Sequence, residues 1–220
     1  MIVIKFLLMV CPWVIRRFLL NRVFGYKISP SARIGFAWVY PKMLSMAEGS
    51  RIDHFTVAIN LEKVVLGKNS TIGRKNWITG FPVNSSLRHF KHQKRLAHLI
   101  IGNESAITKN HHIDCTNYIQ IGDFSTIAGY DSQFLTHSIN LEDNIQDSHP
   151  IIIGNYTFVG TNVVILGGSQ LPSNSVLAAR SLLNKNFSEE WNIYGGVPAK
   201  PIGKLKGNEL YFHRSSGFVF

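Results

Sequence analysis

The stretch that decides the fold is Ile153 to Leu183, IGNYTF VGTNVV ILGGSQ LPSNSV LAARSL L in groups of six residues. An aliphatic residue opens every group, and a small or β-tolerant residue tends to take the fifth place. A period of six fits neither an α-helix, which repeats about every 3.6 residues, nor an alternating strand. It is typical of a parallel β-helix, in which each group supplies one short strand and one corner. We therefore predict triangular coils of three groups, with residues about eighteen apart in a stack.

A less regular form of the same period extends back to Ile28, and Ile34 and Ile52 are further predicted inward positions. The period stops at Gly80, resumes at Ile101, and gives Gln133 an inward slot before it stops again. The sequence thus predicts an all-β domain, a parallel β-helix over residues 28–183. Two loops interrupt this domain, at residues 81–98 and 140–150.

The two ends of the chain differ from the repeats. Residues 1–27 are apolar up to Val10 apart from Lys5, basic residues follow, and we expect a helical segment there. The apolar run is shorter than the roughly 20 residues that span a bilayer, and no cleavage site marks a signal peptide. The segment either caps the open end of the β-helix or lies on an anionic membrane, and both can hold. Residues 184–220 form an extension that packs outside the β-helix or against another subunit.

Composition limits the partners of the chain. The 220 residues carry a net charge of +10, which favours an anionic partner such as nucleic acid, a membrane surface or a phosphorylated small molecule. We find no aromatic–basic motif of a nucleic-acid module, so no nucleic acid is expected. Cys11 and Cys115 lie far apart, which favours a reduced compartment. We therefore expect a cytoplasmic protein, and peripheral contact with the inner face of the membrane remains one of the two interpretations of residues 1–27.

The loop at residues 81–98, FPVNSSLRHFKHQKRLAH, is basic and rich in histidine. Its charged and histidine side chains are those of Arg88, Lys91, Lys94, Arg95, His89, His92 and His98. Long excursions from a compact domain are usually functional or disordered. Two interpretations remain open: an anion-binding lid over a neighbouring site, or a solvated basic loop.

The repeats, together with Gly195 to Lys200 (GGVPAK) after the last coil, resemble the hexapeptide-repeat acyltransferases, and among them the sugar and polysaccharide O-acetyltransferases. The resemblance covers about residues 28–203. It implies a left-handed β-helix, an exception to the usual right-handed crossover. It also implies a homotrimer with the site between subunits, and acetyl-CoA as the acyl donor.

His137 is the candidate catalytic residue, because the resemblance implies a general base between the middle coils and the final repeats. An imidazole can take the proton of an alcohol as the new bond forms, an effect typically worth about 10²–10⁴ in rate. His149, before Pro150, is a weaker candidate. The group that orients His137 is not identified: Asp131, Glu142 and Asp143 are near in sequence, and a backbone carbonyl would also serve.

The resemblance also implies residues that bind the substrates. If Ile113 points inward, His112 and Asp114 point outward and would bind the hydroxyls of the acceptor. The candidates for the pantetheine arm and the phosphates of coenzyme A are Gly160, Thr161, Ala178, Ala179, Lys200 and Lys204, with Lys206 and Arg180 as further cations. Gly and Ala at these places are also what tight corners need.

The function that the sequence favours is transfer of an acetyl group from acetyl-CoA to a hydroxyl of a sugar or polysaccharide precursor. N-acetylation of an amino sugar is a close variant. A zinc enzyme of the carbonic anhydrase type would need about three convergent histidines, and no spacing specifies such a site, so no metal is expected. A non-catalytic β-helix scaffold is a further alternative.

Overall fold

Residues 2–83, 89–217 and 219 are described in the computed structural model of the chain. Within them the helices are α1 (Ile2–Val10), α2 (Trp13–Val23) and a 3-10 helix (Leu210–His213). The strands, in chain order, are β1 (Lys27–Ile28), β2 (Arg33–Ile34), β3 (Trp38–Tyr40), β4 (Met43–Met46), β5 (Arg51–Ile52), β6 (Val57–Ile59), β7 (Lys63–Leu66), β8 (Thr71–Ile72), β9 (Trp77–Thr79), β10 (His98–Ile101), β11 (Ala106–Ile107), β12 (His112–Asp114), β13 (Ile119–Ile121), β14 (Thr126–Ile127), β15 (Gln133–Leu135), β16 (His137–Asn140), β17 (Ile145–Ser148), β18 (Ile151–Ile153), β19 (Phe158–Val159), β20 (Val164–Leu166), β21 (Gln170–Leu171), β22 (Val176–Leu177), β23 (Leu182–Leu183), β24 (Asn192–Gly196) and β25 (Ala199–Lys204).

Three sheets form the walls of a triangular parallel β-helix. Sheet A has the order β1-β4-β7-β10-β13-β18-β21, and sheet C has β3-β6-β9-β12-β15-β20-β23. Sheet B has the order β2-β5-β8-β11-β14-β19-β22-β24-β25. Neighbours are parallel except β24 and β25. The chain therefore passes through sheets A, B and C in turn before it starts the next coil.

The aliphatic residue of each group points inward, as the six-residue period predicts. Ile107, Val159 and Leu177 are fully buried examples from sheet B. Stacking at eighteen residues holds in the final coils, where Phe158 pairs with Val176. The predicted inward position of Gln133 is wrong: Gln133 is exposed and the next residue, Phe134, fills the core.

The first coil is covered by α2. Leu20 is buried there, and the guanidinium of Arg16 donates hydrogen bonds to the carbonyls of Gly35 (2.7 Å) and Ala37 (2.9 Å). Because these carbonyls belong to the first coil, α2 closes the end of the solenoid as a cap. No helix in the described part of the chain is long and apolar enough to cross a membrane.

The residues after Leu183 continue the solenoid before they leave it. Strand β24 pairs in parallel with β22, and β25 folds back against β24 as a hairpin. The chain then runs along the outside, where the Arg214 guanidinium lies 3.9 Å from the centre of the Tyr211 ring. Gly217 N–H donates to Glu104 Oε2 at 2.8 Å, which ties the extension to the middle coils.

Both long interruptions leave the solenoid where sheet C turns into sheet A. The loop predicted at 81–98 follows β9 and ends one residue earlier, because His98 begins β10. The interruption predicted at 140–150 begins earlier, at His137, and follows β15. The second interruption is an antiparallel hairpin of β16 and β17, in which His137 pairs with Ser148. The two excursions therefore emerge from one corner of the triangle and flank the polar cluster described next.

Candidate active site

His137 is the first residue of the hairpin that leaves the β-helix after sheet C. The preceding residue, Thr136, is buried in the corner, and its carbonyl accepts a hydrogen bond from His149 N–H at 2.8 Å as the chain returns. The side chain of His137 is 45% exposed. The fold therefore holds the backbone on both sides of this histidine while its ring stays open to solvent on one side.

The ring of His137 is bound to a carboxylate from the neighbouring coil. Nδ1 of His137 lies 2.6 Å from Oδ2 of Asp114, and His137 N–H donates to the same oxygen at 3.3 Å. Asp114 ends β12, and His137 follows β15, the strand beside β12 in sheet C. The orienting group is thus Asp114, and not Asp131, Glu142 or Asp143, which were nearer in sequence.

The other oxygen of Asp114 is also fully engaged. Oδ1 accepts hydrogen bonds from the amide of Thr116 at 3.0 Å and from its hydroxyl at 2.7 Å. Burial by itself would raise the pKa of Asp114, but the hydrogen bonds from His137 and Thr116 outweigh it and lower this pKa below its ordinary value. Asp114 is therefore an ionised, immobile partner for the imidazole.

The contact with Asp114 determines the chemistry of the His137 ring. Since the carboxylate accepts from Nδ1–H, Nε2 carries the lone pair and is free to accept a proton. The hydrogen bond to Asp114 raises the pKa of His137, although burial and the positive charge of Arg95 oppose this effect. The pair is an oriented base whose protonated form is stabilised, which is what general-base catalysis requires.

The basic loop reaches this site through a buried arginine. The guanidinium of Arg95 donates to the carbonyls of Phe81 (2.6 Å), Thr116 (2.8 Å) and Pro82 (2.9 Å). It also lies 4.6 Å from the centre of the Phe90 ring. Phe90 in turn meets the ring of His137 edge to face, with the ring centres 6.2 Å apart. Arg95 is therefore an anchor for the loop, not a solvated charge.

A second set of contacts joins the loop to the hairpin. Gln93 Nε2 donates to Asp147 Oδ1, and Gln93 Oε1 accepts from the hydroxyl of Ser148 at 2.9 Å. A cavity of about 280 Å³ lies between loop and hairpin, lined by His89, Phe90, His92, Ile139, Asn144, Ile145 and Gln146. The described part of the loop, which we call the lid, thus packs on the hairpin beside His137. Arg88 lies outside the described residues.

The two predicted acceptor residues occupy different environments. Ile113 is buried, so His112 and Asp114 point outward from sheet C, as predicted. His112 is exposed between Trp77 and Gln133 of the neighbouring strands. Asp114 is bonded to His137 and Thr116, so His112 is the one of the two whose side chain is open to solvent.

Most of the predicted coenzyme A residues lie at the opposite corner, where sheet B turns into sheet C. A Cβ atom on Gly160 would lie 2.6 Å from the amide nitrogen of Ala179. Ala178 lies beside Gly195, which pairs with Lys200 across the β24–β25 hairpin. Thr161 bonds to the backbone of Tyr130 through its hydroxyl. Gly160, Thr161, Ala178, Ala179 and Lys200 thus lie on one surface. Lys204 pairs with Asn192 at the other end of the hairpin, at the far edge of sheet B, so the structure does not bring it to this corner.

That surface and His137 lie at opposite edges of sheet C. In one coil, Gly160 and Thr161 precede β20 and Gly167 follows it. Gly167 N–H donates to Leu135 O at 2.8 Å, so Gly167 lies on the coil next to His137. The strand between the edges has three residues, or about 10 Å. Within one chain, a donor held at the first corner must cross the outer face of sheet C to reach His137.

The remaining histidine candidates are engaged elsewhere. His111 is fully buried: its Nδ1 accepts from Ser132 N–H at 3.2 Å, and its Nε2 lies 3.1 Å from the hydroxyl of Thr108. Burial lowers the pKa of His111 to about 4, against the opposing charge of Asp131. His149 is exposed and pairs with Asp147 at 3.2 Å. In the described ranges, no group of three or more His, Cys, Asp and Glu side chains could hold a metal ion.

Several contributors to the site were not found from the sequence. Phe90, Gln93 and Gly167 were not singled out, and Arg95 was grouped with the other loop cations. A Cβ atom on Gly167 would lie 2.7 Å from the carbonyl oxygen of Thr136, directly before His137. The Gly167–Gly168 pair inside an otherwise regular run was the signal that could have indicated this close approach.

Several solved structures are similar to this parallel β-helix. A hexapeptide-repeat-containing acetyltransferase from Vibrio cholerae O1 biovar eltor, complexed with acetyl coenzyme A, is 27% identical with a TM-score of 0.53, over 64% of this chain and 70% of that chain. A hexapeptide transferase family protein from Anaplasma phagocytophilum is 21% identical with a TM-score of 0.51, over 86% and 82%. AntD, an N-acyltransferase from Bacillus cereus in complex with dTDP and 3-hydroxybutyryl-CoA, is 16% identical with a TM-score of 0.54, over 90% and 92%. No protein-family model and no curated protein matches.

These structures establish the fold. The predicted left-handed parallel β-helix is confirmed, and the structural neighbours of the chain are hexapeptide-repeat acyltransferases. They include both an acetyltransferase and an N-acyltransferase. The likeness therefore agrees with the class inferred from the repeats and leaves the acceptor atom, oxygen or nitrogen, to the chemistry of the site.

Proposed function

We propose that this protein transfers an acetyl group from acetyl-CoA to a hydroxyl of a sugar or polysaccharide precursor. The observation that carries the proposal is the 2.6 Å contact between Asp114 and His137 at the edge of sheet C. It is supported by the 27% identical acetyltransferase that was crystallised with acetyl coenzyme A. The oriented base supplies the group that acyl transfer to an alcohol needs, because an un-ionised hydroxyl is a weak nucleophile.

The reaction would be a direct transfer. Nε2 of His137 takes the proton of the acceptor hydroxyl as its oxygen attacks the thioester carbon. The tetrahedral intermediate then collapses, the carbon–sulfur bond breaks, and the imidazolium returns the proton to the departing thiolate. Asp114 holds the ring in the reactive tautomer and stabilises the imidazolium. No acyl-enzyme forms, and Nε2 of His137 both takes up the proton and returns it.

The donor would bind at the corner between sheets B and C. Gly160 lets its coil lie directly against the amide of Ala179, and Ala179 is exposed with a small side chain, so an extended pantetheine arm can lie close to the backbone there. Lys200, on β25, would meet the phosphates as a mobile point charge. Because this corner and His137 are at opposite edges of sheet C, we also propose the homotrimer, in which a neighbouring copy faces that sheet. Light scattering on the purified chain tests it, and a monomer at micromolar concentration would contradict it.

The acceptor would enter between the lid and the hairpin. The cavity there is lined by Phe90, whose ring also contacts His137, so an acceptor held in the cavity would have to extend past Phe90 to reach the base. Apolar Ile139 and Ile145 with polar Asn144 and His92 suit the mixed faces of a sugar. His112, exposed on sheet C, is the further candidate for bonding the acceptor.

The experiment compares wild type, His137→Ala and His112→Ala. Acetyl-CoA binding is measured by calorimetry, and thiol release is measured with a panel of sugars and amino sugars. We expect all three proteins to bind acetyl-CoA and His137→Ala to lose about 10²–10⁴ in rate. Absence of binding in wild type would refute the transferase. Products acetylated only on nitrogen would replace the hydroxyl acceptor with an amine.

A further inference from the structure

Both N-terminal helices present large apolar side chains to solvent. Ile2, Val3, Leu7 and Val10 on α1 and Val14 and Phe18 on α2 are all exposed, each by more than half of its surface. A helix that merely caps a solenoid needs apolar residues on its inner face only. A contiguous exposed apolar surface of this kind marks an interaction site.

The orientation of α2 is fixed by contacts on its inner face. Arg16 binds the carbonyls of Gly35 and Ala37, and Leu20 is 1% exposed against the first coil. Phe18, between them in sequence, is 64% exposed. Since residues 16 and 20 share one helix face, Phe18 cannot turn inward unless the cap is released. The exposure of Phe18 is therefore a consequence of how the helix docks.

The apolar surface continues onto the β-helix. Phe36, between the two residues whose carbonyls Arg16 binds, is exposed and packs edge to face on Phe55, with ring centres 6.0 Å apart. Phe55 adopts a φ of +61°, which is uncommon for a bulky residue, and the residue is 61% exposed. Two further aromatic side chains thus lie next to α2 on the same end of the molecule.

The charges around this surface have one sign. From Met1 to Ala47 the sequence contains seven Lys and Arg and no Asp or Glu, and Glu48 is the first acidic residue. The rest of the chain holds sixteen Lys and Arg against thirteen Asp and Glu. Seven of the ten net positive charges therefore belong to the first 47 residues. Arg22, Lys27 and Arg33 in this segment are exposed.

We infer that α1, α2 and the Phe36–Phe55 pair form a surface that lies in the interface of an anionic lipid membrane. Apolar side chains that enter the headgroup region, flanked by cations, are the features of an interfacial helix. A membrane of anionic lipid can bury the apolar side chains and also attract the surrounding Lys and Arg side chains. A second copy of this chain would instead bring two positively charged surfaces together, which is unfavourable. The inference is independent of the transferase proposal, because its test does not use activity.

The test is sedimentation of the full chain with vesicles of phosphatidylcholine alone and of phosphatidylcholine with one-quarter phosphatidylglycerol, at low and high salt. Wild type is compared with Phe18→Glu, with Arg22→Ala and with Leu210→Glu. Leu210 is 85% exposed on the C-terminal extension, so its variant controls for a new surface carboxylate. Circular dichroism checks that each variant is folded.

We expect wild type to bind the anionic vesicles and to lose binding at high salt. Phe18→Glu should weaken binding by about tenfold or more, Arg22→Ala by roughly fivefold, and Leu210→Glu not at all. Equal binding to neutral and anionic vesicles, or wild-type binding by Phe18→Glu, would overturn the inference. So would an absence of vesicle binding together with self-association that Phe18→Glu abolishes, because the occupant would then be a second copy.

Discussion

Asp114 and His137 are 23 residues apart in the chain, yet Oδ2 of one lies 2.6 Å from Nδ1 of the other. The contact exists because β12 and β15 are neighbours in sheet C and both residues lie at its edge. A polar pair at this place leaves the apolar core intact, since Ile113 and Phe134 fill the interior beside it. The β-helix can therefore build a two-residue site from adjacent coils without changing its walls.

Asp114→Asn should shift the pH dependence of the reaction. The hydrogen bond and charge of Asp114 raise the pKa of His137, so the acidic limb of kcat/KM in wild type should lie above the ordinary histidine pKa of about 6.5. The asparagine side chain keeps the shape of Asp114 but not its charge, so the acidic limb of the variant should move to lower pH. The rate at its plateau should fall by about tenfold or more, because the imidazolium loses its counter-ion.

Asp131→Asn is the matched control for this prediction. Asp131 is an exposed aspartate near His137 in sequence, and it pairs with Asn110 instead. The pH profile of this variant should equal that of wild type. Equal profiles for all three proteins would show that Asp114 does not act through His137.

Gln93→Ala should loosen the lid without touching the donor site. Gln93 is the residue that joins the loop to Asp147 and Ser148 of the hairpin. Its loss should raise the KM for the acceptor several-fold and leave acetyl-CoA binding unchanged, as steady-state kinetics and calorimetry would show. Lys91→Ala, an exposed position on the same loop, should have no effect. An increase in KM from Lys91→Ala instead would mean that the loop acts through its charge.

Gly167→Ala and Gly154→Ala should separate stability from activity. Each added Cβ would meet backbone, at 2.7 Å from Thr136 O for Gly167 and at 2.4 Å from Ser173 N for Gly154. Overpacking of this kind costs about 1–3 kcal/mol, and both variants should melt earlier. Only Gly167→Ala displaces the backbone before His137, so only this variant should lose kcat when both are assayed below their melting temperatures.

His111 should make the fold sensitive to acid. Its pKa is about 4 in the folded protein and about 6.5 in an unfolded chain, so between these values the unfolded state binds more protons. The stability that neutral His111 provides is complete above about pH 6.5 and is lost as pH falls toward 4. The free energy of unfolding should drop by about 2 kcal/mol between pH 7 and pH 5 from this group.

His111→Asn tests this assignment by urea unfolding at the two pH values. Asparagine occupies the same corner position one coil earlier, at Asn76, which bonds to His111, so the variant should fold. Its free energy of unfolding should depend less on pH than that of wild type. An unchanged slope would assign the acid sensitivity to other groups.

The regular part of the fold could be predicted because one residue type repeats at one spacing. Ile153, Val159 and Ile165 open successive groups and are all fully buried. The pairing of Asp114 with His137 could not be counted in the same way, since coil length varies. His112 pairs with Gln133, 21 residues on, while Val164 pairs with Leu182, 18 residues on. Without the register, the sequence neighbours of His137 looked as suitable as Asp114.

The role of the basic loop was also beyond the sequence. Arg95 and Lys94 are adjacent cations of similar length, and only the fold distinguishes the buried one, which binds three carbonyls, from the exposed one. The same holds for Phe90, whose contact with His137 joins residues from two separate excursions. Such contacts depend on the path that each loop takes back to the β-helix. The six-residue repeat does not extend into the loops, so the sequence does not predict that path.

The order of strands in sheet C also fixes the distance between His137 and the end of the solenoid that α2 covers. Strands β3, β6, β9, β12 and β15 follow one another, and neighbouring strands are about 4.8 Å apart. Four steps therefore place His137 at a height of about 19 Å above the coil that α2 covers. If that end lies on a membrane and the proposed acetyl transfer holds, the reacting hydroxyl of a lipid-linked acceptor would lie at a set distance from the bilayer, and removal of one whole coil between α2 and His137 would shorten that distance by one step.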